Sequence, residues 1–127
     1  MHHLDLGLFP YQLQLTRNLL KSCYGQRLID KMDERFSKIP RYPNLKIFKN
    51  GLKELNRLTA DEYRNIMQVC IFVIDNIIDN NSNGKVSKDL SELYHLWNKM
   101  YMISRCESFN ELLLNEFEVN NVCILFY

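Results

Sequence analysis

The stretch from Thr59 to Asp79, TADEYRNIMQVCIFVIDNIID, constrains the fold of this chain more than any other part of it. Thr59 and Glu62 have the spacing of a capping box, which predicts that a helix begins here. Apolar residues then follow on nearly every side: Ile66, Met67, Val69, Cys70, Ile71, Phe72, Val73, Ile74, Ile77 and Ile78. A helix of this kind is expected to be surrounded by other helices. The apolar run is shorter than the ~20 residues that a membrane span needs.

Helical patterns on both sides of this stretch predict an all-α fold, a single small bundle of about five helices around a central buried helix. The other predicted helices run from about Pro10 to Cys23, from Gln26 to Lys38, from Ser87 or Asp89 to Ser104, and from Phe109 to Glu118. The apolar stripe of the first is expected to consist of Leu13, Leu15, Leu19 and Leu20. Ser108 and Glu111 have capping-box spacing and predict the start of the last helix. The loop composition of residues 80–87 predicts a turn, and the apolar tail 119–127, VNNVCILFY, favours β structure.

Composition limits the kinds of partner. The chain of 127 residues carries 16 Lys and Arg against 15 Asp and Glu, so its formal net charge is +1 and any contact with nucleic acid needs a local patch. The four cysteines have no CxxC spacing, which predicts free thiols in a reducing compartment rather than a zinc site or disulfides. The N-terminus lacks the pattern of a signal peptide. We therefore expect an intracellular protein, nuclear or cytoplasmic, with no membrane contact.

Few residues are candidates for chemistry. His2, His3 and Asp5 are close enough in sequence for a metal or acid/base cluster, although a frayed terminus is the more ordinary interpretation. The third histidine, His95, is expected on the exposed side of the fourth helix. The sequence contains no serine–histidine–acid spacing, phosphate-binding loop or HExxH motif, so we infer no cofactor and no small-molecule substrate.

A basic stretch is the second candidate site. It contains Arg35, Lys38, Arg41, Lys46, Lys49 and Lys53, with no Asp or Glu between them. Phe36, Tyr42 and Phe48 are interleaved with these cations. Cations that reach phosphates and rings that stack on bases are typical of weak, sequence-independent DNA binding. The alternative is a solvated loop whose aromatic side chains pack into the core.

The stretch DNNSNGKVSKDL, residues 79–90, follows the pattern of a calcium-binding loop between two helices. Asp79, Asn81, Asn83 and Lys85 stand at its ligand positions and Gly84 at its sharp turn. Leu90 replaces the acidic residue that closes such a loop around the ion. We therefore expect an ordinary turn that does not bind calcium, with a degenerate EF-hand as the alternative.

Three segments resemble the fungal Plavaka/KDZ-type transposases: MHHLDLGLFPYQ, IPRYPNLKIFKNGLKELNRLTADEYRNIMQVCIFVIDN and LYHLWNKMYMISRCESF. In that family an Asp-x-Leu-His and a Leu-Asp-Leu-Gly segment precede the helices. A proline-containing FPGLK-like stretch then leads into a helix that begins with Leu-Thr. The resemblance covers residues 1–118, and the tail 119–127 departs from it.

The resemblance implies a relation to DDE enzymes of the RNase H-like fold, in which three carboxylates hold two divalent metals that act on DNA. The family's motif histidine matches His2, which places the second catalytic aspartate before Met1. The other two carboxylates also fall outside the chain, and Asp5 belongs to the Leu-Asp-Leu-Gly segment rather than to the triad. The resemblance therefore implies a truncated, catalytically inactive helical insertion region.

An interaction module is the alternative function. A region cut from a larger fold exposes surface that was once covered, which is expected to include Leu4, Leu6, Leu8, Phe9 and the tail. Such a module would self-associate or bind the parent transposase.

Overall fold

The structure, a computed structural model, describes residues 4–78 and 80–125, and the side chains of all these except 80–83 and 121–125. Its five α-helices are α1 (Phe9–Tyr24), α2 (Gln26–Ser37), α3 (Ala60–Ile74), α4 (Asn80–Ser104) and α5 (Glu111–Leu125). A π-helical turn (Leu4–Leu8) precedes α1, and a 3-10 turn (Leu55–Arg57) precedes α3. No strand occurs within the described ranges, so the predicted all-α bundle is confirmed.

The predicted capping box begins α3. The backbone N–H of Glu62 donates to Thr59 Oγ1 at 3.3 Å, and the backbone N–H of Thr59 donates to Glu62 Oε2 at 2.7 Å. Seven side chains of the helix are buried: Tyr63, Ile66, Met67, Val69, Cys70, Val73 and Ile74. The prediction that apolar residues pack on nearly every side is wrong for Phe72, which is 74% exposed. Other helices cover α3 on one broad side only, and its outer edge faces solvent.

The C-terminus of α3 is held by cations of α2. The helix ends at Ile74 rather than at Asp79, and Asn76 follows with a φ of 48°, in the left-handed region. The terminal carbonyl groups have no partner inside the helix. The guanidinium of Arg35 donates to carbonyl groups at and just after the end of the helix, those of Val73, Asp75 and Asn76, at 2.6–3.1 Å. Lys31 Nζ donates to the carbonyl of Ile77 at 3.0 Å. These bonds join α2 to the end of α3, and the basic side chains also complement the negative end of the helix dipole.

The prediction of a loop at residues 80–87 is wrong, because α4 begins at Asn80. Ser87 and Leu90 are buried, and Val86 packs against the core. The core-facing side of α4 therefore reaches about one turn further toward the N-terminus than the composition indicated. Tertiary packing of this kind routinely overrides the weak helix propensity of Asn, Ser and Gly.

The second capping-box prediction is also wrong. The backbone N–H of Leu113 donates to Asn110 Oδ1 at 2.8 Å, so Asn110 caps α5 in place of Ser108. The helix then continues to Leu125 through most of the tail that was expected to favour β structure. Lys99 Nζ of α4 lies 2.5 Å from Glu116 Oε1 of α5. The short connection between α4 and α5 makes them an antiparallel hairpin.

Phe9 lies at the centre of an aromatic cluster. Its ring centroid is 6.3 Å from those of Tyr63 and Tyr94 and 5.7 Å from that of Trp97. The expectation that Phe9 belongs to an exposed surface is wrong, because its side chain is fully buried. Tyr94 Oη donates to Thr16 Oγ1 at 2.9 Å, and burial raises the pKa of Tyr94 well above its ordinary value.

Within the described residues, no helix is long and apolar enough to cross a membrane.

Candidate functional site

The basic stretch divides into cations that have partners in the fold and cations that face solvent. Arg35 binds the end of α3, as described above. Lys38 lies 2.5 Å from Glu34 Oε1, and this contact lowers the pKa of Glu34. Lys46 pairs with Glu62, the same residue that closes the capping box. Three of the six cations of the predicted patch therefore already have partners within the chain.

The other half of the basic stretch consists of Arg41, Lys49 and Lys53. All three side chains are exposed and make no ion pair within the part of the chain that the structure describes. Of the interleaved rings, Tyr42 is 74% exposed and available for stacking. Phe36 and Phe48 are buried and pack edge to face, with ring centroids 6.3 Å apart. For these two rings the core interpretation was the correct one.

A polar cleft of about 650 Å³ lies between α1, α2 and residues 52–57. Arg17 Nη1 and Nη2 donate to the two carboxylate oxygens of Asp33 at 2.7 and 3.2 Å. The backbone N–H of Leu52 also donates to Asp33, at 3.0 Å. Lys21 and Lys53 stand among the other lining residues, with no histidine, cysteine or aromatic ring in the lining. The sequence analysis missed this cluster because its members are far apart in the chain and follow no motif.

Asp5 is a structural residue. Its side chain is 1% exposed and accepts hydrogen bonds from Arg64 Nη1 at 2.8 Å and from Tyr101 Oη at 2.7 Å. Arg105 Nη1 donates to Tyr101 Oη at 3.2 Å. Burial is the main cause that raises the pKa of Tyr101, and the hydrogen bond to Asp5 adds to it. The cluster fastens the N-terminal turn to α3 and α4.

The predicted cluster of His2, His3 and Asp5 is only partly visible, because His2 and His3 lie outside the described residues. Both carboxylate oxygens of Asp5 already have protein partners. Within the described part of the chain, no group of three or more His, Cys, Asp or Glu side chains is placed to hold a metal ion. His95 is exposed on α4, as predicted.

The calcium-like stretch does not form a loop. Asp79 lies outside the described residues, and the side chains of Asn81 and Asn83 are not described. The backbone is α-helical from Asn80 onward, and Lys85 is exposed on that helix. A calcium loop instead turns sharply at its glycine and surrounds the ion with oxygen atoms. The absence of calcium binding stays a prediction, and the helical backbone argues in the same direction.

The three cysteines whose side chains the structure describes form no disulfide bond. Cys23 and Cys106 are exposed and Cys70 is buried, and burial raises the pKa of the Cys70 thiol. A raised pKa makes a thiol unreactive, so Cys70 is a packing residue.

Apolar surface is the remaining candidate. Leu6 and Leu8 are exposed, as the interaction hypothesis expected, while Leu4 packs partly against the core. Further large apolar side chains are exposed on α1, at the end of α4 and on α5: Tyr11, Leu15, Leu19, Met102, Leu112, Leu114 and Val119.

Comparison of the chain with protein-family models, curated proteins and solved structures finds no match.

Proposed function

We propose that this chain is a catalytically inactive, transposase-derived helical domain that acts by binding protein. The resemblance of residues 1–118 to Plavaka/KDZ-type transposases supports the origin. Residues 1–118 themselves match none of that family's catalytic carboxylates, so the proposed role of this domain is binding rather than chemistry. The partner we propose is the RNase H-like core of a transposase of this type. The observation that carries the proposal is the outer surface of α5.

The helix α5 is apolar around most of its circumference, yet it packs mainly against α4. Phe117 and Asn120 face inward, toward α4 and the core. Leu112 is 79% exposed and Val119 is 61% exposed. Large apolar side chains that a helix leaves exposed indicate a surface that a second protein covers, and we infer such a surface on α5.

The exposed apolar side chains extend onto α4. Met102 lies about one turn after Lys99, and Leu112 lies about one turn before Glu116. Lys99 and Glu116 form an ion pair, and the two helices are antiparallel. Met102 and Leu112 are therefore both exposed at the end of the hairpin that carries the connection between the helices. We call Met102, Leu112 and Val119 the hairpin face.

Replacing Leu112 and Val119 with glutamate is expected to weaken binding of the transposase core at least about tenfold, because each lost apolar contact is worth roughly 1–3 kcal/mol. The measurement is titration calorimetry of the full chain against a purified RNase H-like core of a Plavaka-type transposase that lacks its own helical insertion. Both positions are exposed, so the free energy of unfolding should change little.

Phe72→Glu is the matched control, because Phe72 is equally apolar and exposed but lies on α3. It should leave binding of the core unchanged. The proposal is wrong if the unaltered chain shows no affinity for the core. It is equally wrong if the Leu112 and Val119 variant binds as well as the unaltered chain.

Weak DNA binding is a second candidate function, favoured by the exposure of Arg41, Tyr42, Lys49 and Lys53. Lys46 is left out of the test because it is paired with Glu62. Log affinity falls as log salt concentration rises, by ~0.7–0.9 for each phosphate contact. Changing Arg41, Lys49 and Lys53 to alanine in one variant should therefore make this negative slope shallower by about 2 to 3. Fluorescence anisotropy with a labelled oligonucleotide, measured over a series of salt concentrations, gives the slope.

The matched control replaces Lys21, Arg27 and Lys88, three exposed cations outside the basic stretch, and changes the net charge equally. If both triple variants lower the slope by the same amount, binding depends on net charge alone. The basic stretch then has no special role.

A further inference from the structure

The walls of the polar cleft are held in place by hydrogen bonds between distant parts of the chain. Asp33 of α2 accepts from Arg17 of α1 and from the backbone N–H of Leu52, so it joins all three walls. The wall that contains Leu52 is also tied to α3, because Tyr63 Oη donates to Leu55 O at 2.6 Å. The space of about 650 Å³ is therefore bounded by fixed elements and has the size of a small-molecule site.

Two cations of the cleft have no ionic partner. Four of the seven charged lining residues are paired with one another, Arg17 with Asp33 and Arg57 with Glu54. Lys21 of α1 and Lys53 of the third wall are exposed and form no ion pair within the described part of the chain. The remaining carboxylate, Asp30, accepts a hydrogen bond from Gln26 Nε2 at 3.0 Å. The unpaired groups therefore leave the cleft with an excess of positive charge.

The uncharged side chains of the cleft suit hydroxyl groups. Its uncharged polar lining consists of amides, which are Gln14, Asn18, Gln26 and Asn56. An amide side chain both donates and accepts hydrogen bonds, as a hydroxyl group does. The apolar lining residues Ile29, Leu52 and Leu55 are buried. The cleft therefore favours a ligand that is polar over its whole surface.

We propose that the polar cleft binds a small phosphorylated sugar. Lys21 and Lys53 bind the phosphate group from two different walls, through charge-assisted hydrogen bonds. The amides and Asp30 bind the sugar hydroxyls, with the carboxylate as an acceptor and the amides in both roles. Charge at the lysines and hydroxyl recognition along the helices together account for the polar lining.

A free sugar phosphate suits this cleft better than the backbone of a nucleic acid, which has the same chemistry. Asp30, Asp33 and Glu54 also stand in the lining, and successive phosphates of a backbone would approach these carboxylates at a cost in free energy. A single phosphate contacts the two lysines without meeting them. The described lining also contains no aromatic ring on which a base would stack.

Titration calorimetry of the full chain with glucose phosphorylated on its primary hydroxyl tests the proposal. We expect a dissociation constant on the order of 100 μM, because both lysines are solvated and each ion pair is weak. Inorganic phosphate and glucose each make only part of the contacts and should bind at least about tenfold more weakly. Amide chemical shifts in the NMR spectrum should change mainly at the residues that line the cleft.

The variant with Lys21→Gln and Lys53→Gln should bind the sugar phosphate at least about tenfold more weakly, because the charge-assisted hydrogen bonds are lost. The matched control with Arg27→Gln and Lys88→Gln removes the same charge from exposed positions outside the cleft and should bind as the unaltered chain does. Asn18→Asp keeps both lysines, adds a carboxylate to the lining and should also weaken binding. This single change serves if the lysine variant does not fold.

Four results would overturn the proposal. One is an unaltered chain that does not bind the sugar phosphate, and another is inorganic phosphate or glucose that binds equally well. A third is an equal loss of affinity in the control variant, since binding would then depend on net charge alone. The last is an oligonucleotide that displaces the sugar phosphate and loses its own affinity with the lysine variant, since the cleft would then belong to a DNA-binding surface.

Discussion

Replacing Gly51 with alanine is expected to lower the free energy of unfolding by about 3–5 kcal/mol, from backbone strain and overpacking together. Gly51 has a φ of +69°, in the left-handed region that side chains disfavour. A Cβ atom at this position would lie 2.3 Å from Asp33 Cβ and 2.6 Å from Asp33 Cγ. Because non-bonded carbon atoms do not approach so closely, either the turn or Asp33 has to move.

Movement of Asp33 is costly because this carboxylate joins three parts of the chain. It accepts hydrogen bonds from Arg17 of α1 and from the backbone N–H of Leu52, and it belongs to α2. The side chains of Arg17 and Asp33 are only 12% and 14% exposed, so a separated pair would leave two poorly solvated charges. Urea denaturation followed by circular dichroism measures the loss.

Gly25→Ala is the control for backbone strain. Gly25 has a φ of +81°, but a Cβ atom added there would meet nothing within 4 Å. Its substitution is expected to cost about 1–3 kcal/mol from the backbone conformation alone. Equal losses for the two variants would show that close contact with Asp33 contributes nothing, contrary to our account.

Replacing Asp5 with alanine is expected to lower the free energy of unfolding by about 3–5 kcal/mol, because two hydrogen bonds to a charged carboxylate are lost, each worth roughly 1.5–3 kcal/mol. Asp5 is 1% exposed, and its two oxygens accept from Arg64 of α3 and Tyr101 of α4. Without the carboxylate, the N-terminal turn loses its connection to both helices. Tyr101 would lose its acceptor in a buried position, whereas Arg64 would keep Asp61 as a partner.

Asp61→Ala tests whether burial is the cause. Asp61 also pairs with Arg64, but its side chain is 80% exposed, so its removal should cost less than about 1 kcal/mol. Asp5→Asn keeps an acceptor for Tyr101 and should fall between the two alanine variants. Similar urea midpoints for the Asp5→Ala and Asp61→Ala variants would contradict the prediction.

Asp5 and Arg35 show why residues that suggest a site in a sequence often serve the fold. Asp5 stood beside two histidines and suggested a metal or acid/base cluster, yet its partners come from α3 and α4. Arg35 belonged to a basic stretch that suggested DNA, yet it binds carbonyl groups at the end of α3. Charged groups near a core need partners, and those partners lie on helices distant in sequence.

The sequence by itself determined the features that depend on neighbours along the chain. The capping box at Thr59, the division between the first two helices and the end of the fourth helix at Ser104 were all predicted and are present. These signals are local, because caps, left-handed glycines and helical periodicity involve residues within a few positions of one another.

Only the tertiary structure decided which helical faces are buried and where the weaker helices end. Leu13 and Leu15 were both expected on the apolar side of the first helix, but the side chain of Leu13 is fully buried and that of Leu15 is 49% exposed. The start of α4 at Asn80 and the continuation of α5 to Leu125 contradict the local composition. The free energy that decides these points comes from packing between helices, which a pattern of neighbouring residues does not record.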